Sequence, residues 1–477
     1  MQEDALLGTM TPREVLRFAA RMRLSIPPDE SIEMLIEDLL ANMGLSECAD
    51  TFIGNDLIKG LSGGERKRVA VGAELISNPQ ITFVDEPTSG LDTAAAYDVI
   101  SVLKQLSEMN RSVLCTIHQP SSEVIHMFDQ AIFLAAGEVA YHGPPGMIRA
   151  HFAKLGLQCP QDYNPADFVM FCIQAKSGDR ASSIVRGWAE LGDVRPHVRD
   201  CGHSSPLPLV PCRKGFLTEL ATLGEREVKN VVRDRATLTA RFGTTFFLSL
   251  TFAFAFYRVG DSTAEGYDLQ SHSGAITMLG ITALFGAAEP MLLAFTSERP
   301  VFLREHTGNM YGTLPYFLSK TVVELPLLVV QMLLMWCMTY WSMGLHGSFF
   351  LHLFGSWLIA VSGASAGLIA ACFVRDAKQA MEVAPGILVP QVLFAGFFVK
   401  TASLPAFMRG LQYVCCLKWG MNILMVNEFP GELGLLKAND VEEDDLAVYC
   451  LVMGVIFLGF RLVAAVLLTR RARAFYT

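Results

Sequence analysis

Leu61-Ser62-Gly63-Gly64-Glu65-Arg66-Lys67-Arg68 is the stretch on which the reading of this chain turns. A hydroxyl residue and two glycines open a helix that runs through Arg66 to Leu75. Ser62 can cap it, and Gly63 and Gly64 let backbone N–H groups approach an anion at the helix's positive end. A plain N-cap explains the same letters, so the neighbours must decide. Downstream, Ile81-Thr82-Phe83-Val84 reads as a short buried strand running into Asp85-Glu86. Ser112 to Ile117 is a second strand, closed by His118, and Ala94 to Met109 is a helix between them. Strand, helix, strand is an α/β unit. Carboxylates at the C-terminal end of a sheet strand sit where ligands bind in such folds. There Asp85 can hold Mg²⁺ through water, and Glu86 can orient and deprotonate an attacking water. His118 can polarise a phosphate. Taken singly, the acids can be a solvated strand end and the histidine a structural one.

Taken in order, these segments resemble the nucleotide-binding domain of ABC transporters. The match runs Leu-Ser-Gly-Gly-Glu, a strand with Asp-Glu, Pro87-Thr88-Ser89-Gly90-Leu91-Asp92, and a strand ending in His118, over residues 1 to about 175. The resemblance implies that Ser62, Gly63, Gly64 and Glu65 form the signature motif, which contacts ATP held by an opposite subunit. It further implies that Asp85 and Glu86 are the Walker B pair, Leu91-Asp92 the D-loop and His118 the switch histidine. Gln2 matches the glutamine that touches Mg²⁺ and senses the γ-phosphate. Glu86 and His118 are thus the catalytic expectations, and ATP and Mg²⁺ the cofactors. A phosphate-binding loop needs Gly-Lys-Ser/Thr, and the chain contains no Gly-Lys dipeptide. The family places that loop before the Q-loop glutamine. The expectation is an N-terminally truncated, incomplete P-loop-type domain that does not bind ATP tightly as it stands.

Composition separates two halves. The 477 residues are 51% hydrophobic and 18% charged with net charge −9, which excludes disorder and argues against a nucleic-acid partner. Residues 1–240 hold 54 charged side chains and the remainder only 31. Eleven cysteines occur without metal or disulfide spacing. Thr11-Pro12-Arg13-Glu14 reads as an N-cap with proline at the first helical position, and Ser31 to Met43 as an amphipathic helix. Asn164-Pro165-Ala166-Asp167-Phe168 closes the first domain. Residues 176–213 read as a linker and 214–235 as an amphipathic connecting helix able to lie on a membrane surface. From 236 to 477 the chain reads as six membrane spans, since about 20 apolar residues cross a bilayer. They are Phe242–Tyr257, Leu269–Ala288 continuing to Phe295, and two helices in the fifty uncharged residues Leu325–Val374. Val383–Val399 and Leu446–Thr469 follow. Fourteen Lys/Arg fall in the inner segments and five in the outer ones, which puts both termini in the cytosol.

A nucleotide-binding domain ahead of six spans is similar to the G subfamily, the White, sterolin and multidrug-resistance half-transporters. Glu298-Arg299-Pro300 to Glu305, Tyr316 to Lys320, Gly396-Phe397-Phe398-Val399 and Asn427-Glu428-Phe429 carry the likeness. By that resemblance the 299–315 loop couples the domains, and the second and fifth spans of two subunits line the substrate path. The expected protein is an ATP-driven exporter half. Its partners are a second half-transporter, the bilayer, preferably the plasma membrane, and a lipid-like or amphiphilic substrate. A non-catalytic partner subunit, a membrane scaffold and a soluble DNA-repair ATPase are the alternatives, the last disfavoured by the spans. Two charges inside spans, Glu289 and Arg461, either snorkel to the surface or pair, with Lys320 and Glu324 as a possible relay.

Overall fold

The computed structural model describes residues 5–24, 29–55, 58–109, 111–174, 178–191, 214–263, 266–374, 376–396, 405 and 409–474. It divides into two compact units, Met1–Cys212 and Arg213–Thr477.

In the first unit a three-helix layer comes first: α1 (Pro12–Arg23), α2 (Asp29–Asn42) and α3 (Gly63–Leu75). Thr11 and Glu14 form the reciprocal capping box at the head of α1, with Pro12 at its first position. Leu16, Ile36, Leu40, Met43 and Val69 are fully buried between these helices. Gly72 lets α3 approach closely, since a Cβ there would meet Leu16 Cδ2 at 3.3 Å. Next come β1 (Ile81–Asp85), α4 (Thr93–Glu108) and β2 (Ser112–Thr116). The two strands are parallel, with Ile81 opposite Ser112 and Asp85 opposite Thr116. The expected strand–helix–strand unit is therefore present, but the strands are not fully buried. Ile81, Phe83 and Leu114 are 60%, 75% and 54% exposed, because only one face of this two-stranded sheet is covered among the described residues.

A short α5 (Ser122–Ile125) leads to the antiparallel hairpin β3 (Ala131–Ala135) and β4 (Glu138–Gly143). Its turn places Ala136 and Gly137 at φ 50° and 87°, both in the left-handed region. Then α6 (Ile148–Lys154), α7 (Pro165–Gln174) and α8 (Gly178–Leu191) close a small core of Ala140, Tyr141, Ile148, Phe152, Val169, Cys172 and Ile184. Helix α8 corrects the linker reading. Residues 178–191 are helical because Ile184, with Val185 and Trp188, packs onto that core. The rest of the expected linker, 192–213, lies outside the described residues.

The second unit begins with α9 (Phe216–Arg233), followed by α10 (Arg235–Ala255), α11 (Leu269–Thr307), α12 (Thr313–Met343), α13 (Phe349–Phe373) and α14 (Ala377–Leu393). It ends with α15 (Cys416–Glu428), α16 (Leu433–Ala438) and α17 (Leu446–Ala474). Among the described residues five segments (α10, α11, α12, α13 and Glu443–Ala472, which takes in most of α17) are long and apolar enough to cross a membrane. Of the expected span Val383–Val399, residues 383–393 belong to α14, a 17-residue helix containing Pro385 and Pro390, and 397–399 lie outside the described residues. The 299–315 loop is also corrected: α11 continues through Pro290 and Pro300 to Thr307, so the connection shrinks to 308–312. Proline at these positions removes one helical N–H each without ending the helix.

Helix α9 is amphipathic in an unexpected sense. Its buried face is Glu219, Leu223, Arg226 and Asn230, while Leu217, Val228 and Val232 are exposed. The polar groups are satisfied inside the unit. Arg226 pairs with Glu305 at 2.7 Å, Asn230 donates to Glu298, and Glu219 accepts the Gly312 N–H at the head of α12. Lys320 pairs with Glu227 and Glu298, and Arg241 with Glu324. The core between α11 and α13 relies on small residues; a Cβ on Gly363 would meet the Leu284 carbonyl at 2.8 Å.

Candidate functional site

The chemistry gathers at the C-terminal ends of β1 and β2. Glu86, Thr88 to Thr93, His118 and the Gln119-Pro120-Ser121 turn line one cleft of about 470 Å³. Three of the sequence-derived residues, Glu86, Asp92 and His118, therefore share a cavity. Asp92 also caps α4, accepting the Ala95 N–H at 2.8 Å. Asp85 sits beside them on the exposed sheet face, where its Oδ1 accepts the Thr116 hydroxyl at 2.5 Å. Glu86 holds φ 47° and Gln119 φ 53°, a conformation non-glycine residues adopt only when their surroundings enforce it. Glu86 N–H donates to Thr116 Oγ1 at 2.9 Å and to the Thr116 carbonyl at 3.1 Å.

Ser62 to Glu65 stand at the head of α3, outside that cleft. Ser62 accepts the Glu65 N–H, while its own N–H and hydroxyl both donate to Glu65 Oε2 at 2.8 Å. The backbone N–H of Ser62, then its hydroxyl, draws the Glu65 carboxyl below its ordinary pKa. The glycines leave little room against the α4 head. A Cβ on Gly63 would meet Leu91 Cδ2 at 3.1 Å, and one on Gly64 would meet Ala95 Cβ at 3.0 Å. The Gly63-Gly64 pair thus packs against Leu91 and Ala95 at the head of α4. Lys67, one turn into α3, donates to the Glu86 carbonyl at 3.4 Å. Gln2 lies outside the described residues.

Sequence reasoning missed three residues here. Thr116 and Lys67 act across strands and elements, which no local spacing reveals. Asn164 was visible only as a domain end. Its Nδ2 donates to the Pro120 carbonyl at 2.7 Å and its Oδ1 accepts the Ala166 N–H, so it fixes the turn that follows His118.

The second unit carries one further polar centre. The Glu428 carboxylate, fully buried, accepts N–H groups from His346 and Gly347 in the α12–α13 turn at 3.0 and 2.9 Å. His272 Nε2 of α11 and His352 Nε2 of α13 each lie 2.9 Å from its oxygens. The Glu289–Arg461 pairing does not form. Glu289 is exposed, whereas Arg461 is buried between Phe317 and Phe457 with Nη1 donating to Thr321 Oγ1 at 3.2 Å. Lys320 and Glu324 are engaged elsewhere, as described for α9 and α10. No group of His, Cys, Asp and Glu suited to a metal cage occurs among the described residues. Asp85 fits a divalent cation differently, as a single exposed carboxylate with Oδ1 oriented by Thr116.

Comparison with known proteins follows the same two units. A family model described as ABC transporter matches residues 1–89, and one described as ABC-2 type transporter matches 218–429. A further ABC-2 type transporter model matches 118–182. Among curated relatives, Protein white of Ceratitis capitata is 30% identical, over 99% of this chain and 74% of its own length. The ABC transporter ATP-binding protein/permease wht-1 of Caenorhabditis elegans is 31% identical, over 90% and 68%. The broad substrate specificity ATP-binding cassette transporter ABCG2 of Sus scrofa is 28% identical, over 91% and 71%.

Proposed function

The chain belongs to the G subfamily of ABC transporters, a family of ATP-driven membrane transporters, and from that premise we propose that it is one half of a dimeric exporter of hydrophobic or amphiphilic molecules. One observation carries the site: Glu86, Asp92 and His118 line a single cleft, with Asp85 oriented next to it. In this reading the water oxygen attacks the γ-phosphorus of ATP as its proton passes to the Glu86 carboxylate. The bond to the β–γ bridging oxygen breaks, and ADP leaves with that electron pair. His118 donates to a γ-phosphate oxygen as charge develops on it. Asp85 is the residue that would hold Mg²⁺, whose charge offsets that of the phosphate oxygens. Ser62 and the backbone of Gly63 and Gly64 would meet the nucleotide of the second half, completing each site across the dimer. Gln2 belongs to the same set as a contact to the metal.

We read α14 as a sixth crossing and the exposed apolar residues of α9 as its contact with the bilayer. ATP drives transport here because it favours one arrangement of the dimer over another, and hydrolysis restores the first. The sequence carries no Gly-Lys dipeptide, so the test is Glu86→Gln in the chain completed with a segment carrying a Gly-Lys-Ser/Thr loop and reconstituted in lipid vesicles. It should retain ATP binding while turnover falls by about 100-fold or more, as expected when a general base is lost. Unchanged hydrolysis would remove Glu86 from the role. A loop-completed wild-type chain that still binds and hydrolyses no ATP would instead make it the non-catalytic partner of another half. Uptake assays with a panel of lipids, pigment precursors and drugs would then identify the substrate.

A further inference from the structure

We infer that Thr116 is a positioning residue for ATP hydrolysis, an inference that rests on the ATPase reading above. Thr116 ends β2 in register with Asp85 at the end of β1. Its hydroxyl lies between the two acids. Oγ1 donates its only proton to Asp85 Oδ1 at 2.5 Å and, with its lone pairs, accepts the Glu86 N–H at 2.9 Å. One side chain thereby addresses both members of the pair: it orients the carboxylate of the first and the backbone of the second.

The backbone needs that hold. Glu86 is a non-glycine residue at φ 47°, a region where Cβ crowds the carbonyl oxygen and which persists only under constraint. The constraint comes from both sides of the residue. Its N–H is shared by the hydroxyl and carbonyl of Thr116, and its C=O accepts Lys67 Nζ at 3.4 Å and the Ser89 N–H at 3.2 Å. In this left-handed turn Glu86 lines the cleft shared with His118. Releasing the N–H from Oγ1 lets the residue relax toward ordinary strand geometry, which moves the carboxylate relative to the attacking water. Losing the donor to Oδ1 also frees the Asp85 carboxylate to rotate. A displacement of about 1 Å at a reacting group costs on the order of 100-fold in rate.

Valine at this position keeps the β-branched shape that suits a strand end while deleting both side-chain bonds. Serine keeps the hydroxyl. The experiment compares wild type, Thr116→Val and Thr116→Ser in the same loop-completed full chain in lipid vesicles. Hydrolysis is measured against ATP and against Mg²⁺, and deuterium uptake over residues 84–90 is followed in the same samples. Thr116→Val should lose about 10- to 100-fold in kcat with KM for ATP unchanged, the pattern of an interaction used in the transition state. It should also need more Mg²⁺ for half-maximal rate and take up deuterium faster over 84–90. Thr116→Ser should recover both rate and protection, and uptake over the β3–β4 hairpin should be the same in all three, reporting an intact fold. A valine variant with unchanged kcat, or one losing only KM, overturns the inference, as does equal uptake over 84–90. Absence of turnover in wild type would count against the ATPase reading itself, while the uptake comparison would still decide whether Thr116 holds Glu86.

Discussion

Two hydrogen bonds of 2.8 Å from Ser62 hold Glu65, and their effect on its pKa carries a sign. The carboxyl is depressed in the folded chain, so its contribution to stability is complete above the unfolded value of about 4.3 and is lost as pH falls through the lower folded value. Glu65→Gln should therefore melt at a lower temperature than wild type at neutral pH, with the gap closing below about pH 4. Melting curves of the first unit's helices by circular dichroism read this directly, and a pH-independent gap would show that the carboxylate charge is not what matters. Asn164→Ala should cost about 1 kcal/mol, the worth of a typical buried hydrogen bond, and loosen the turn after His118. Differential scanning calorimetry checks the first effect and deuterium uptake over 118–122 the second. At this scale the sequence showed residue types at strand ends and helix heads, because those positions are set by local pattern. It did not show Thr116, Lys67 or Asn164, whose partners are 31, 19 and 44 positions away.

Hydropathy located most of the long helices of the second unit, since an uncharged run such as 325–374 has few other solutions. It missed what the charged residues between them do. The buried stripe of α9 is polar because its partners on α11 and α12 are polar, which inverts the usual reading of an amphipathic helix. The same holds where elements converge on Glu428. One carboxylate ties the α12–α13 turn to the heads of α11 and α13 and to the end of α15. Glu428→Gln turns one of its oxygens into an NH₂ group facing existing donors. It should destabilise the second unit by about 3 kcal/mol, the scale of a lost hydrogen-bonded charge in a buried site. Unfolding in mixed detergent, followed by the fluorescence of Trp336 stacked on His352, measures it. A change under about 0.5 kcal/mol would mean that the two backbone N–H groups find other acceptors. Helix α8 is the converse case. Its apolar residues are too few to stand out in the sequence, yet Ile184 and Trp188 are what dock it.

For the whole molecule, the open quantity is the parity of the crossings. Among the described residues five helices are long and apolar enough to span, and α14, at 17 residues and about 26 Å, falls just short of a hydrocarbon core of about 30 Å. The basic-residue bias does not separate the two counts. If α14 turns back, Lys400, Arg409, Lys418 and Lys437 move to the inner side while Arg470, Arg471 and Arg473 move out, so the balance shifts by one residue. The sequence favours crossing, because the uncharged run that begins in α14 continues to Val399. An even count places the C-terminus on the side of the first unit; an odd count places it opposite. Two epitope tags, one before residue 5 and one after Thr477, read by antibody in intact and then permeabilised cells, decide the matter. Six crossings require both tags to appear only after permeabilisation. A C-terminal tag detected on intact cells, with the N-terminal tag hidden, would remove α14 from the spans and move residues 394–445, with the acidic run Glu442 to Asp445, to the cytosolic side.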